Sequence, residues 1–355
     1  MRIAQVAPLF ESVPPRRYGG TERVVSYLTE ELVRQGHRVT LFATADSETS
    51  AELIPIVERP LRGDPLWMFH ALIELEKVLR RADDFDVLHF HTDGLHYPMV
   101  PRIGTPVVTT LHGRQDLPGL ARFYRVFSHI PVVSISDAQR APLPHARWVG
   151  TVHHGLPPRL YRPGTGRGGY LAFLGRISPE KRVDRAVEIA RRAGVQLLIA
   201  AKVDPVDRTY FEREIEPLLR DPGVEYLGEI ADAEKTDFLG DAMAVVFPID
   251  WPEPFGLVMI ESMACGTPVL AFRGGSVDEV ITPGVTGAVV TSVDEAVQTL
   301  PSVAALDRAA CRQEFERRFS VARMVEKYLR VYRRLMGVDR EIEDAGWEAG
   351  LASHG

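Results

Sequence analysis

The sequence of 355 residues has few cysteines and no long apolar run. Its two cysteines, Cys265 and Cys311, provide neither a disulfide framework nor the spacing of a zinc site. The longest apolar stretches, such as residues 107–111 and 242–249, fall well below the roughly 20 residues that span a bilayer. Residues 1–8 are too short an apolar run for a secretory signal. These features predict a cytoplasmic protein with no integral membrane segment.

The sequence also lacks a strong excess of one charge, since 42 basic residues oppose 48 acidic ones and the formal net charge is −6. This balance argues against nucleic acid as the main partner. It also argues against attachment to a membrane by charge alone. Only five of the 42 basic residues are lysine, so each lysine can be considered singly.

The length and the composition favour two folded domains. A content of 45% hydrophobic and 25% charged residues is typical of globular proteins, and 355 residues suit two domains of about 150 residues each. Short β-rich runs alternate with amphipathic stretches in both halves, which predicts two doubly wound α/β domains with parallel sheets. The segments that we predict are a first domain at 1–155, a Pro- and Gly-rich linker at 156–169, a second domain at 170–318, a helix at 319–337 that packs back towards the first domain, and a polar tail at 338–355.

Individual elements follow from the same patterns. In the first domain we predict strands at 3–7, 39–43, 87–90, 107–111 and 132–136, and helices at 21–35 and 72–81. In the second domain we predict strands at 170–174, 197–200, 224–226, 244–248 and 269–271, and helices at 183–193, 208–219, 234–241 and 257–265. Two further helices are predicted at 308–319 and 321–336. Gly36 stands where a glycine ends the first helix.

The strongest functional pattern is a Pro-rich turn that carries Glu253 and is followed by a helix. The helix is predicted to begin near Gly256, and its free backbone amides make an anion site at Phe255, Gly256 and Leu257. Glu261 lies about one helical turn inside, so both carboxylates can face one ligand. Carboxylates accept hydrogen bonds from hydroxyl groups, and sugars have many. For two isolated acids the alternative is that Glu253 is an ordinary turn residue and Glu261 lies on a solvated helix face.

Two cations, Arg176 and Lys181, stand five residues apart after a predicted strand. A guanidinium fork and an ammonium point charge at this spacing can hold a diphosphate. Ordinary loop charges are the alternative for an isolated pair.

A glycine pair, Gly19 and Gly20, precedes the first predicted helix. It is not the G-x-G-x-x-G fingerprint of dinucleotide-binding domains, so a nicotinamide dehydrogenase is disfavoured. Glycines still let backbone amides approach a phosphate, although a plain tight turn is an equal alternative on spacing alone.

The combined motifs resemble the retaining glycosyltransferases of family 4, which have the two-domain GT-B fold with a ligand cleft between the domains. The resemblance covers about residues 1–335. It rests on the two glutamates with seven residues between them, with Pro-Phe-Gly after the first and Ala-Cys-Gly-Thr-Pro-Val after the second. It also rests on Gly19-Gly20-Thr21-Glu22, His112-Gly113, Ser134-Ile135-Ser136, Gly175-Arg176, Glu180-Lys181 and Gly274-Gly275 ahead of Glu279.

The resemblance implies a role for each donor-side residue. Glu253 would hold a hydroxyl of the donor sugar and Glu261 the ribose. Arg176 and Lys181 would hold the diphosphate, with help from the Gly19-Gly20 loop. By the same resemblance, the second domain binds the donor and the first domain the acceptor.

Polar residues at the carboxyl ends of first-domain strands complete the expected site. His112 resembles the histidine that lies near the transferred sugar in the family, whereas a lone histidine would more often be structural. His91, Asp93, Arg114 and Asp116 end adjacent strands and are candidates for acceptor contacts, with ordinary loop polarity as the alternative.

A metal site is not expected. The string Asp84-Phe85-Asp86 matches the D-x-D motif that binds metal in the other large glycosyltransferase fold, but it precedes a predicted strand and is interpreted as structural. His153 and His154 have no third ligand at useful spacing. The protein cations can themselves neutralise a departing diphosphate, so neither a metal nor another cofactor is required.

The function expected from the resemblance is retaining transfer of a hexose from a nucleotide diphosphate sugar to an acceptor hydroxyl. UDP-glucose or GDP-mannose is favoured as donor, and the acceptor is a sugar, a lipid-linked glycan or a small molecule. The groups expected to act in catalysis are His112, Glu253, Arg176 and Lys181, with the leaving diphosphate as base. The alternatives are a nucleotide-sugar epimerase of similar fold and a non-catalytic nucleotide-sugar-binding protein.

Overall fold

A computed structural model describes residues 1–16 and 19–338 of the chain. Its internal contacts divide these residues into two compact units. Among the described residues, unit 1 contains 1–16, 19–135, 140–153 and 321–338, and unit 2 contains 136–139 and 154–320. Each unit is an α/β structure built on one sheet, as the alternating pattern of the sequence predicts.

Unit 1 is built on a parallel sheet of seven strands in the order β3-β2-β1-β4-β5-β6-β7. Four of its strands, β1, β4, β5 and β6, are almost wholly buried, which explains why they stand out as short apolar runs. The strands are β1 Arg2–Val6, β2 Arg38–Ala43, β3 Glu52–Pro55, β4 Val87–Phe90, β5 Val107–Thr110, β6 Pro131–Ser134 and β7 Arg147–Thr151.

Helices cover the sheet of unit 1. Their bounds are α1 Gly20–Arg34, α2 Trp67–Arg80, α3 Leu120–Val126 and, at the end of the described chain, α11 Val321–Leu335. Helix α1 turns Val24, Leu28 and Leu32 into the core, and Gly36 follows its end with φ 84°, a conformation that suits glycine. Helix α11 belongs to the compact unit of the N-terminal sheet and packs against α1.

Unit 2 is built on a parallel sheet of six strands in the order β10-β9-β8-β11-β12-β13. The strands are β8 Tyr170–Arg176, β9 Gln196–Lys202, β10 Val224–Gly228, β11 Ala244–Phe247, β12 Val269–Phe272 and β13 Gly287–Val290. The helices are α4 Val183–Ala193, α5 Arg208–Tyr210, α6 Asp232–Gly240, α7 Leu257–Ala264, α8 Val277–Val280, α9 Val293–Ala304 and α10 Arg308–Phe319.

The helix predicted at 208–219 is wrong as a single element. The structure divides it into α5, a π-helical turn at Phe211–Ile215 and a 3₁₀ turn at Leu218–Arg220. Pro217 lies between the last two, and a proline has no backbone N–H to continue an α-helical ladder. Strand β8 is longer than predicted, so Arg176 is the last residue of the strand.

The Pro- and Gly-rich segment 156–169 lies within unit 2. Leu156 forms an isolated parallel bridge with Ser320, and the guanidinium of Arg308 donates to the carbonyl oxygen of Gly164 at 3.2 Å. A second guanidinium, that of Arg312, donates to the carbonyl oxygens of Pro158 and Tyr161. Helix α10 therefore holds this segment within unit 2. The polar tail predicted at 338–355 lies outside the described residues except for its first residue.

Helix α2 buries one carboxylic acid, Glu74, which is only 3% exposed. Its Oε1 atom has no hydrogen-bond partner among the described residues. Burial raises the pKa of Glu74 well above its usual range, because a charged carboxylate is poorly solvated in the core. Glu74 is thus kept protonated in the folded state at a pH where the unfolded chain has already lost the proton.

We expect Glu74→Gln to change the pH dependence of stability. Between the ordinary carboxyl pKa and the raised one, only the folded state binds the proton, so wild-type stability falls as pH rises through this interval. Glutamine cannot titrate, and its melting temperature relative to wild type should therefore be higher at pH 8 than at pH 5. Each unit of pKa shift corresponds to about 1.4 kcal/mol. The control is Glu76→Gln, an exposed acid on the same helix, and an equal difference at both pH values would contradict the prediction.

Candidate active site

Glu253 lies in the turn between β11 and α7, and only 8% of it is exposed. Its Oε2 accepts a hydrogen bond from the indole Nε1 of Trp251 at 3.0 Å and forms a close ion pair with the ammonium of Lys181. The ammonium also lies 4.9 Å from the centre of the Trp251 ring, within reach of a cation–π contact. The structure thus brings together two residues that the sequence places 72 positions apart.

A second loop fixes the backbone of this turn. The amide of Ser276 donates to the carbonyl oxygen of Glu253 at 2.9 Å, and its hydroxyl donates to that of Phe255 at 2.9 Å. Gly275 has φ 55°, and a Cβ atom there would lie 2.1 Å from the carbonyl oxygen of Glu253. Only glycine permits this approach. The glycine pair ahead of Glu279 therefore shapes the Glu253 turn.

Helix α7 begins directly after the turn. Gly256 precedes it with φ 77°, and no side chain caps the helix there. The first-turn amides of a helix lack partners within the helix and favour anions. Phe255 is buried against His154 and Phe319, at ring-centre distances of 4.8 and 6.1 Å, which anchors the helix start. The predicted start of the helix at Leu257 is confirmed.

Glu261 lies inside α7 and is 4% exposed. Its Oε1 accepts from the hydroxyl of Tyr161 and from the ammonium of Lys235, each at 3.0 Å. Lys235 also pairs with Asp232 at 3.0 Å. Glu261 is therefore a buried, ion-paired carboxylate whose position is set by two elements distant in sequence, and not a solvated helix face.

Arg176 ends β8 among carboxylates. Its guanidinium lies 3.0 Å from Glu180, 3.3 Å from Asp204 and 3.8 Å from Asp207. These pairs hold the planar guanidinium at the carboxyl edge of the sheet. Desolvation raises the pKa of Asp207, because a carboxylate is poorly solvated there. A phosphate at this position would share Arg176 with acidic neighbours.

The loop after Arg176 is joined to the loop before Glu253. The amide of Asp250 donates to the carbonyl oxygen of Glu180 at 2.9 Å, and the guanidinium of Arg182 lies 2.9 Å from the carboxylate of Asp250. Arg176, Lys181, Glu253 and the start of α7 thus belong to one structural neighbourhood of unit 2. The structure brings these four predicted groups together.

In unit 1, the predicted glycine pair begins helix α1. Gly19 precedes the helix and Gly20 is its first residue. A Cβ atom at Gly19 would lie 2.7 Å from the Cβ atom of Pro15, so the chain turns closely against this proline. Tyr18 lies outside the described residues.

His112 and His91 are hydrogen-bonded to each other in unit 1. The distance from His112 Nε2 to His91 Nδ1 is 2.8 Å, and His91 Nε2 lies 2.7 Å from Gln5 Oε1. Burial lowers the pKa of His112 to about 3, because a charged imidazolium is poorly solvated there. His112 is therefore a neutral imidazole at physiological pH and is positioned by a buried neighbour.

The other acceptor-side candidates are more exposed. Arg114 and Asp116 form a two-point ion pair with distances of 2.6 and 2.7 Å, which lowers the pKa of Asp116. Asp93 is exposed and precedes a 3₁₀ turn at Gly94–His96. The contacts of these three residues identify no ligand.

The D-x-D string has structural partners. Asp86 accepts from the backbone amide of Arg2 at 2.8 Å and from its guanidinium, and Asp84 pairs with Arg81 at 3.0 Å. Across residues 1–16 and 19–338, no group of three or more His, Cys, Asp or Glu side chains is arranged to hold a metal ion.

Two residues that contact Glu261, Tyr161 and Lys235, were not identified from the sequence. Tyr161 lies in the segment predicted as a linker, and Lys235 lies on a short helix with no distinctive motif. The scarcity of lysine is the one signal that could have found Lys235. Three of the five lysines, Lys181, Lys202 and Lys235, form ion pairs with carboxylates of this site or its border.

Comparison with protein families agrees with this geometry. Residues 165–310, which contain the two glutamates and both cations, match the family model described as Glycosyl transferases group 1. Residues 18–134 match the model described as Glycosyltransferase Family 4. The chain is a family 4 glycosyltransferase. Membership of this family favours a transferase over the epimerase and the non-catalytic binding protein.

Relatives of this glycosyltransferase extend over most of its length. A D-inositol 3-phosphate glycosyltransferase of Mycolicibacterium smegmatis is 26% identical over 90% of this chain and 87% of the relative. A GDP-mannose-dependent alpha-mannosyltransferase of Mycobacterium tuberculosis is 29% identical over 86% of this chain and 87% of the relative.

Solved structures support the GT-B fold of the glycosyltransferase. A glycosyltransferase involved in avilamycin A biosynthesis superposes with a TM-score of 0.74 and 26% identity, covering 95% of this chain and 98% of that one. An Anabaena protein in complex with UDP and glucose superposes with a TM-score of 0.72 and 18% identity, covering 93% and 98%. In the described part of the glycosyltransferase, no helix is long and apolar enough to cross a membrane.

Proposed function

We propose that this glycosyltransferase transfers a hexose from a nucleotide diphosphate sugar to an acceptor hydroxyl, with retention of anomeric configuration. The observation that carries the proposal is the contact between Lys181 and Glu253 at the start of α7. A cation that can bind the diphosphate lies beside a carboxylate that can accept from a sugar hydroxyl. The sugar and the diphosphate of a donor are joined by one bond, so their binding groups must be neighbours. The GDP-mannose-dependent relative and the UDP- and glucose-bound neighbour support GDP-mannose and UDP-glucose as candidate donors.

Each donor group has a partner in the proposed complex. Glu253 accepts from a sugar hydroxyl, and Glu261 accepts from the ribose while Tyr161 and Lys235 hold its Oε1. Lys181, Arg176 and the first amides of α7 meet the diphosphate. Lys181 forms an ion pair with Glu253 in this structure. In the donor complex the same ammonium would interact with both the Glu253 carboxylate and the phosphate.

The reaction breaks the bond between the anomeric carbon and the leaving phosphate oxygen. The acceptor oxygen forms its bond to the same carbon from the same face, and the acceptor proton passes to an oxygen of the departing diphosphate. No protein nucleophile is required. The protein contributes orientation and electrostatic stabilisation of the leaving diphosphate. Since Lys181 and Arg176 supply positive charge, we propose that a divalent metal is not needed.

A donor panel tests this function. The unmodified enzyme is heated with UDP-, GDP-, ADP- and TDP-sugars in EDTA, and a ligand at 100 times its dissociation constant should stabilise the fold by about 2.7 kcal/mol. The stabilising donor should then release free nucleotide diphosphate when a competent acceptor is added, still in EDTA. The anomeric configuration of the product, read by NMR, should match that of the donor. Strict dependence on added Mg²⁺ or Mn²⁺, or an inverted product, would contradict the proposal.

A further inference from the structure

Unit 1 contains a line of hydrogen bonds that runs inward from His112. After the contacts of His112 with His91 and of His91 with Gln5, the Gln5 amide Nε2 donates to the Tyr332 hydroxyl at 3.3 Å. The Tyr332 hydroxyl lies 2.7 Å from His89 Nδ1. The line therefore joins the end of strand β5 to helix α11.

The line continues on the other side of His89. His89 Nε2 lies 2.7 Å from the Thr110 hydroxyl, which lies 3.0 Å from the Tyr328 hydroxyl. We call this set the buried relay; its members are His112, His91, Gln5, Tyr332, His89, Thr110 and Tyr328. All of them except His112 are less than 5% exposed. Buried polar groups are costly unless they are paired, so a series of this length between strands and a helix constrains each member.

The Gln5 amide gives the relay a direction. An amide nitrogen only donates and an amide oxygen only accepts. Because Gln5 Nε2 donates to Tyr332, its Oε1 accepts from His91 Nε2, which must carry the proton. His91 is only 4% exposed, and such burial disfavours an imidazolium, so the ring that carries its proton on Nε2 has an acceptor at Nδ1. The bond between the two histidines is therefore donated by His112 Nε2.

The other half of the relay agrees with this direction. The Tyr332 hydroxyl accepts from Gln5 and so gives its own proton to His89 Nδ1. His89 then donates through Nε2 to Thr110. Burial lowers the pKa of His89 well below its usual range, and the rings of His89 and His91 lie 4.0 Å apart, an arrangement that suits neutral imidazoles.

We propose that Gln5, His91 and Tyr332 are positioning residues that hold His112 in one orientation and in the tautomer protonated at Nε2. The inference rests on the proposed function and on the catalytic role that the family resemblance implies for His112. In this tautomer Nδ1 is an acceptor and carries no proton, so His112 cannot act as a proton donor through that atom. Helix α11, which contains Tyr332, thereby helps to fix the orientation of His112.

Two variants on the same helix test the relay in the full-length enzyme. Tyr332→Phe removes the hydroxyl on which the Gln5 amide depends, so both directions of the relay become available. Tyr328→Phe removes a hydroxyl one turn away, at the end of the relay, and leaves the Gln5–Tyr332 bond in place. The two changes delete the same atom from equally buried tyrosines, so the second is a matched control.

The readout is the ¹⁵N NMR spectrum of histidine-labelled protein, with the His112 signals assigned by His112→Gln. In wild type and Tyr328→Phe, His112 should show one protonated and one unprotonated ring nitrogen. In Tyr332→Phe, the two ¹⁵N shifts of His112 should be averaged between the two tautomers. The kcat of Tyr332→Phe should fall by roughly 2- to 13-fold, the range for one neutral hydrogen bond. Affinity for the free nucleotide diphosphate should not change. If Tyr332→Phe does not fold, Gln5→Met takes its place with the same readout.

The outcomes separate the relay from the proposed function. Unchanged His112 shifts in Tyr332→Phe, or equal changes in both tyrosine variants, overturn the relay. If His112→Gln still loses turnover in that case, the proposed function stands. Averaged shifts with unchanged kcat, together with full turnover by His112→Gln, overturn the catalytic role of His112 and with it the role of the relay.

Discussion

Lys181→Ala and Arg176→Ala should each lower the kcat/KM for the donor by about 10- to 150-fold. Each change removes a charge-assisted hydrogen bond to the diphosphate, which is worth roughly 1.5 to 3 kcal/mol. The structure predicts the larger loss for Lys181→Ala. That change also deprives the buried carboxylate of Glu253 of its ion-pair partner, whereas the carboxylates around Arg176 are more accessible to water.

Steady-state kinetics with the donor that emerges from the thermal-shift panel measures this effect. Lys77→Ala is the control, because it removes a half-buried lysine of unit 1 whose ammonium donates to the carbonyl oxygen of Pro55. It should behave as wild type. Full activity in both Lys181→Ala and Arg176→Ala would remove the diphosphate role that we propose for them.

The sequence predicted the central strands of both sheets because burial on both faces leaves a short, apolar signature. It missed strands β3 and β7, which lie at the two edges of the first sheet. Each has one neighbour and is largely half-exposed, so its apolar pattern is weak. Helix α9 was also missed, and it contains Pro301, a residue that ordinarily argues against a helix interior.

The turn that carries Glu253 and the start of α7 could be predicted, because their signals lie within a few positions of one another in the sequence. The contact partners of Glu253 and Glu261 could not be predicted. Tyr161 contacts Glu261 across 100 positions, and Lys181 contacts Glu253 across 72. Such contacts depend on the order of strands in the sheet, which places the loops after β8 and β11 side by side. The spacing of neighbouring residues in the sequence does not reveal the order of strands in the sheet.

The same limit applies to the histidines of unit 1. His91 was predicted as an acceptor contact because it follows a strand. The structure instead gives its ring two partners, His112 and Gln5, and makes it less than 5% exposed. An acceptor contact through His91 stays a prediction, and its burial leaves the ring little exposed surface for one. Its bond to His112 favours positioning over direct contact, which the relay variants test.

Glu253→Gln and Glu261→Gln are expected to fail in different ways. Glutamine keeps the shape of each side chain but loses the charge and one acceptor oxygen. Glu261 is proposed to hold the ribose in the ground state and the transition state alike, so Glu261→Gln should raise the donor KM by about 10- to 150-fold with a smaller change in kcat. The change also removes the ion pair between Glu261 and the Lys235 ammonium, which adds to the effect on binding.

Glu253 contacts the sugar ring in the proposed complex, whose anomeric carbon must be aligned for attack. Glu253→Gln should therefore lower kcat strongly, while calorimetry with the free nucleotide diphosphate should find nearly wild-type affinity. Glu261→Gln should weaken that same affinity. Glu225→Gln, at an exposed position of β10 in the same unit, is the matched control and should change neither quantity. If Glu253→Gln abolished nucleotide binding and Glu261→Gln left it intact, the two roles would be exchanged, since Tyr161 and Lys235 would then be holding a carboxylate that does not touch the nucleotide.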